Sequence, residues 1–256
     1  MIMRNHFLVI LILTLLFSCG QKDSSGNVPA ESTTISKIKN ASYVENEERI
    51  NYNSHCSFDN QMSGLGEGLV IVPSKFEIYN DSLLTIKHAN WDMYEDESKI
   101  DVCPKFFKPD YGIMHFVSIG QTEKTYKVLV NYSDIKYLPK TKDYEFETWE
   151  NYILQSYGIR RKTKENGNIK ENLPLRTKPN DNAEALKIPD GLEMFCPIEI
   201  KGDWVKVKYD CFYNVEDNPH DGEPCYEFIQ ECNNTLTGWL RWRQENKLLI
   251  DIFMMP

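Results

Sequence analysis

Alternation of apolar and polar residues is the strongest pattern in the chain. In KGDWVKVKYD, Lys201 to Asp210, the residues Val205, Val207 and Tyr209 alternate with Trp204, Lys206 and Lys208. That is the two-residue period of a strand with one buried and one wet face. Gly202-Asp203 supplies the left-handed-tolerant backbone of a tight hairpin turn. Alternation puts Trp204 on the wet face beside the two lysines. In TGWLRW, Thr237 to Trp242, Gly238 lets the backbone come close while Trp239 covers the end of the sheet. Trp239, Gly238 and Gly202 are therefore expected to be structural. The run LVIVP from Leu69 reads as a strand entered from a flexible loop, GLGEG, Gly64 to Gly68.

One segment changes period. In YEFETWENYILQSYG, the residues Phe146, Trp149, Ile153 and Tyr157 recur at three- and four-residue steps and Gly158 follows as a stop, which predicts one helix. The next run, GIRRKTK, Gly158 to Lys164, reads as a solvated connection.

Set against itself at an offset of 79, the chain matches without a gap: GIMHFVSIGQTEKTYKVLV, Gly112 to Val130, lies on GLEMFCPIEIKGDWVKVKY, Gly191 to Tyr209. Phe116 falls on Phe195, Ile119 on Ile198, and Lys127-Val128 on Lys206-Val207. Each copy has a short strand and turn-rich loop upstream, FEIYNDS and LPLRTKPND, and a long strand downstream, SDIKYLP and TGWLRW. The shared order predicts two related small β-units.

The second unit resembles the bacterial SH3-like domain. Matching residues run in that family's order: Leu175-Arg176, Pro179, Gly191, Gly202-Asp203-Trp204, Val205, Val207 and Thr237-Gly238-Trp239. The resemblance covers Asn172 to Asp251 and is interrupted by an insertion, Asp210 to Leu236, where the family has a tight turn. In the first unit Thr125 stands in the place of Trp204 and no Gly-Trp follows. The resemblance implies a mainly β fold: two small SH3-like β-barrels joined by one α-helix, after a signal peptide and a disordered tether. The expected boundaries are 1–18 for the signal peptide, 19–40 for the tether, 41–142 for a diverged SH3-like domain, 143–168 for helix and linker, and 169–256 for the second barrel with its insertion at 210–236.

The N-terminus adds a compartment. Arg4 precedes an apolar run from Phe7 to Phe17, too short to span a bilayer comfortably and long enough for a signal-peptide core. Leu16-Phe17-Ser18-Cys19 resembles the lipobox of bacterial lipoproteins, which implies an acylated Cys19 and a lipid anchor in the cell envelope. The polar stretch after it cannot bury a core and, as a flexible tether of about 18 residues, reaches roughly 20 to 25 Å.

Seven cysteines less Cys19 leave six, an even number that suggests disulfides in an exported chain. Their pairing stays open; the alternative is that some are buried free thiols, with Cys196, inside MFCPIEI, the first candidate. With 38 acidic against 29 basic residues and a formal charge of −9, the chain lacks the basic face that nucleic acid requires.

Candidate chemistry is sparse. GLGEG has no preceding strand and does not open a helix, as a phosphate cradle must. EDNPHDGE, Glu216 to Glu223, has neither calcium-loop nor zinc spacing, so no metal or other cofactor is expected. His55-Cys56 adjoin, but no helix starts there to lower the thiol pKa, so no catalytic residue is assigned. The remaining candidates are aromatic: Trp204, Tyr209, Tyr213, Tyr226 and Trp242 as ligand-binding residues, because binding surfaces favour Trp and Tyr. They lead to a non-enzymatic, membrane-anchored binding module whose implied partner is cell-wall peptide or an envelope protein segment. The alternative is an inhibitor or immunity protein that plugs a toxin or lytic enzyme with the insertion.

Overall fold

The computed structural model describes residues 56–96, 99–163, 173–190, 193–213, 215–233 and 235–255; Cys19, the signal peptide and the tether lie outside them. The described residues belong to one compact unit, Arg49–Pro256, which is mainly β, with antiparallel sheets and a half-barrel. Its first part contains β1 (Gly68–Ile71), β2 (Lys75–Tyr79), β3 (Lys87–Asp92), β4 (Phe106–Lys108), β5 (Ile113–Gln121), β6 (Thr125–Val130), β7 (Asp134–Pro139) and β8 (Glu145–Thr148). A short helix α1 (Trp149–Leu154) follows. The second part contains β9 (Gly158–Arg161), β10 (Leu175–Arg176), β11 (Ala185–Leu186), β12 (Phe195–Lys201), β13 (Trp204–Tyr209), helix α2 (Cys225–Phe228), β14 (Thr237–Arg241), β15 (Arg243–Gln244), β16 (Lys247–Leu248) and β17 (Ile250–Phe253).

The two sheets repeat one plan. The first runs β3-β2-β7-β6-β5-β1-β8, with β4 added beside β5, and the second runs β11-β10-β14-β13-β12-β9-β17. Counted in chain order without β4, both read third, second, sixth, fifth, fourth, first, seventh. The central hairpins agree residue for residue at the sequence offset. Val117 faces Leu129 as Cys196 faces Lys208, and Ser118 faces Val128 as Pro197 faces Val207. Each ladder then slips by one residue, at Ile119 and at Ile198. A β-bulge kept at the same place fixes which face every later side chain meets. Downstream, Tyr137 lies between Lys127 and Tyr79 as Trp239 lies between Lys206 and Arg176.

The helix is shorter than its periodicity predicts. Phe146 pairs with Val70 inside β8, and the Thr148 side chain caps α1 by accepting from the Asn151 backbone N–H. The three- and four-residue spacing spans a strand, one and a half helical turns and the turn before β9. Within 143–168, Gly158–Arg161 is β9, which pairs with β12 and β17. GIRRKTK is thus in part a sheet strand, because Ile159 is fully buried and carries the flanking charges into the ladder.

Three apolar clusters fill the molecule. Val70, Phe76, Phe116 and Val128 belong to the first unit's own interior. A second cluster runs from Leu69, Val117 and Leu129 on the other face of the first sheet, through Trp149 and Ile153 of α1, to Phe195, Val205 and Leu240 of the second. The third lies in the insertion around Phe228 and Ile229. Cysteines pair as Cys56–Cys103, Cys196–Cys225 and Cys211–Cys232. Cys196 is therefore not the free thiol its apolar neighbours suggest. The insertion folds back over β12 and brings Cys225 to it.

The glycines of the motifs are steric. A Cβ on Gly66 would sit 2.0 Å from the Ser118 carbonyl oxygen, and one on Gly238 would sit 2.6 Å from the Leu175 side chain. Gly202 differs: its surroundings are open and its φ of +60° is what a side chain disfavours. Gly238→Ala should therefore destabilise the fold by about 1 to 3 kcal/mol through overpacking. Urea denaturation measures this, and an unchanged midpoint would mean that Leu175 and Leu186 leave room.

Candidate functional site

The five aromatic residues proposed as a binding face do not share one. Tyr209 is buried against Phe195, ring centroids 5.4 Å apart. Trp242 is buried too: its indole N–H donates to the Gly202 carbonyl at 2.9 Å and its ring lies 6.2 Å from Trp149. Tyr213 and Tyr226 are exposed on the insertion.

Trp204 and Trp239 exchange the roles that alternation gives them. Trp204 is 8% exposed, whereas Trp239 is half-buried on the outer face opposite Lys206 and Arg176. Alternation places Trp204 on the outer face correctly, but that face is covered at this end. The Arg241 guanidinium lies 5.6 Å over the indole and is held at 3.1 Å by Asp181 from the loop after β10. What remains is a cleft of about 90 Å³ between Trp204, Arg176, Arg241 and Leu173.

Larger openings occur along the seam between the two sheets. One cavity of about 370 Å³ lies among Phe58, Phe106, Phe253, Met254 and Met255, with Arg160 and Asp251 on its wall. Another of about 300 Å³ lies among Gln61, Lys105, Lys162, Asn246 and Lys247. Asp59 lines both. Consecutive residues feed them, Lys105 the second and Phe106 the first; on the other side Lys162 serves the second and Arg160 the first. The two cavities are therefore neighbours along one seam, polar at one end and apolar at the other.

Asp59 organises the polar end. Its carboxylate accepts from both the Lys105 and the Lys162 ammonium groups, and Lys105 also donates to the Asn60 carbonyl at 3.0 Å. Burial pulls the Lys105 ammonium below the usual lysine range, against the opposing attraction of Asp59. One carboxylate shared by two ammoniums leaves positive charge at the cavity wall. No local pattern marks this group: Asp59, Lys105 and Lys162 are far apart in the chain, and Lys162 lies in a run that reads as solvated.

Beneath the apolar end, the Tyr152 ring stacks on Phe106 at 5.9 Å, and its hydroxyl lies 2.7 Å from His115 Nδ1 and against the Met254 sulfur. Burial lowers the His115 pKa to about 4 and raises that of Tyr152 well above 10. Burial thus favours the neutral form of both, joined by a buried hydrogen bond. The one cysteine beside a histidine in sequence, Cys56, is held in a disulfide. Among the described residues no group of three or more His, Cys, Asp or Glu is placed to hold a metal ion, and no helix is long and apolar enough to cross a membrane.

Two measurements follow. Trp204→Ala should cost about 3 to 5 kcal/mol as a large-to-small core change, and Trp239→Ala under about 1.5 kcal/mol; the reverse order in urea denaturation would mean that Arg241 does not cover Trp204. A histidine held neutral in the fold and protonated when unfolded contributes stability above its unfolded pKa of 6.5, lost as pH falls toward about 4. On that basis the chain should lose about 2 kcal/mol more between pH 7 and pH 5 than a His115→Gln variant does. Parallel losses in the two proteins would show that His115 takes up its proton in the folded state.

Comparison with protein-family models, curated proteins and solved structures gives no match for this chain.

Proposed function

We propose that the chain is a non-enzymatic binding module of the cell envelope, tethered through a lipid on Cys19, that holds an extended peptide in the seam between two SH3-like β-barrels. Cell-wall peptide or a segment of an envelope protein is the ligand class. The observation that carries this reading is the paired cavity at the seam. Its walls come from the segment before β1 and from β4 on one side, and from β9, the β15–β16 hairpin and β17 on the other, so the opening exists only where the two sheets meet, the kind of place where ligand sites concentrate. An apolar end next to a charged end suits a chain whose successive side chains differ in polarity. The SH3-like assignment is supported by the second unit's motifs. Leu175-Arg176 falls on β10, Gly202-Asp203-Trp204 on the β12–β13 turn and Thr237-Gly238-Trp239 on β14, in a strand order that the first unit repeats. The lipid anchor rests on the lipobox-like run ending at Cys19.

A second reading, an inhibitor or immunity protein, draws support from the insertion. It is fixed by two disulfides and exposes the apolar side chains of Tyr213, Val215 and Tyr226, the residue types that fill a partner's cleft.

Site-specific photo-cross-linking in the full chain separates the two. A photoreactive residue at Phe253, on the wall of the apolar cavity, should couple to cell-wall stem peptide or to an envelope protein segment, identified by mass. The same residue at Tyr226 should not. Coupling at Tyr226 alone, to a toxin or a lytic enzyme, would replace the first reading with the second.

A further inference from the structure

We infer that the seam recognises a free carboxylate flanked by an apolar side chain, the carboxylate meeting Lys105 and Lys162 and the side chain entering between Phe106 and Phe253. This rests on the seam being the binding site and names the chemistry of what it takes.

Charge is the first argument. The whole chain carries a formal −9, yet the described residues lining the two cavities include five cations, Lys105, Lys108, Arg160, Lys162 and Lys247, against two carboxylates, Asp59 and Asp251. The formal excess is three positive charges, in an opening with low-dielectric walls where field lines concentrate. Arg160 and Asp251 cancel locally, paired at 2.9 Å. Lys108 carries one of the three at the apolar end, and two are left at the polar end, where Lys105 is almost fully buried and Lys162 about one-fifth exposed.

The second argument is the cost of leaving an ammonium buried without its own counter-ion. Asp59 serves Lys105 and Lys162 together, so each has less than a full negative charge, and Lys247 is exposed at the same cavity. A second carboxylate would restore the balance and would gain charge-assisted hydrogen bonds from ammonium groups already held in place. Gln61 and Asn246 offer neutral amide donors to the same space. A phosphate monoester would satisfy the charge as well; what favours the carboxylate of a peptide end is the apolar cavity beside the lysines, which has room for the side chain next to it.

The apolar end supplies the other half. Its cavity, about 370 Å³, lies within the range of small-ligand sites, and it is floored by Phe58, Phe106, Phe253, Met254 and Met255. Methionine side chains adapt to the shape of what they hold, so this end selects for an apolar group without fixing which.

The test uses the full chain and three probes: an N-acetylated tripeptide ending in leucine as its free acid, the same peptide as its carboxamide, and decanoate. Binding is followed by calorimetry at low and at physiological salt. The acid should bind at least tenfold more tightly than the amide and weaken as salt rises. Lys162→Gln should remove that preference with the melting temperature monitored, and Lys247→Gln, at an exposed position, should weaken the acid about threefold. Equal binding of acid and amide, or no effect of either substitution, would overturn the inference. If a peptide still cross-links at Phe253 in that case, the binding-module reading stands and only the carboxylate pocket is lost. Binding of decanoate at the same lysines without the peptide acid would overturn the peptide as the source of the carboxylate.

Discussion

The first sheet is apolar on both faces, and the second unit has nowhere else to go. Along β1, β5 and β6, Val70, Phe116 and Val128 turn to the unit's own interior, while Leu69, Val117 and Leu129 turn away from it. An antiparallel sheet can leave one face in water when that face is polar; here it is not. Those outward residues need a cover, and the chain supplies it at once with α1 and then with the inner face of the second sheet. Trp149 fastens the join, its indole N–H donating to the Leu65 carbonyl while its ring meets Trp242. The interface is therefore a core in composition, and the seam cavities are the places where its edge is incompletely filled.

The repeated strand order makes it plain where the arrangement departs from symmetry. Between β6 and β7 the first unit turns on Asn131 and Tyr132, both at positive φ. The second unit opens at the equivalent point into the stretch Asp210 to Leu236. So small an excursion cannot bury enough apolar surface to order itself, and its cluster of Phe228, Ile229 and four cysteines is completed by two disulfides. Lys208 adds to the hold by donating to the Ile229 and Cys232 carbonyls at 2.9 and 2.8 Å. The outer face of the second sheet is thereby covered at one end by the insertion and at the other by the Asp181 loop. Trp239 is left half-buried between them.

How much of this was legible follows from how local each signal is. The central hairpins are readable in outline, because alternation and the Gly202-Asp203 turn are properties of neighbouring residues, and a repeat at constant offset preserves register; the bulge that both ladders share has no such local mark. Gly238 was readable as structural for the same reason. The helix was over-read, since Phe146, Trp149, Ile153 and Tyr157 satisfy a helical spacing while belonging to a strand, a short helix and the turn before β9. Trp204 was placed on the correct face and given the wrong exposure, because what covers it is Arg241 with Asp181, and no local pattern announces a guanidinium folded over a ring. Cys196 illustrates the same limit: a cysteine in an apolar strand looks like a small hydrophobe until the insertion brings Cys225 to it.

The seam was invisible for a stronger reason. Its polar end needs Asp59 from the segment before β1, Lys105 from the residue before β4 and Lys162 from the residue after β9, and each is an ordinary surface-type residue when read alone. Only the docking of the two units puts them together, and docking is driven by Leu69, Val117, Leu129 and their partners, which say nothing about charge. The same step that buries the apolar face also removes water from Lys105, and a lysine without water must find anions. Asp59 provides one for two ammoniums. A residual positive charge at the seam is thus a consequence of how the sheets pack: among the described residues Lys105, Lys162 and Lys247 meet at the edge of the core, where Asp59 is their one carboxylate.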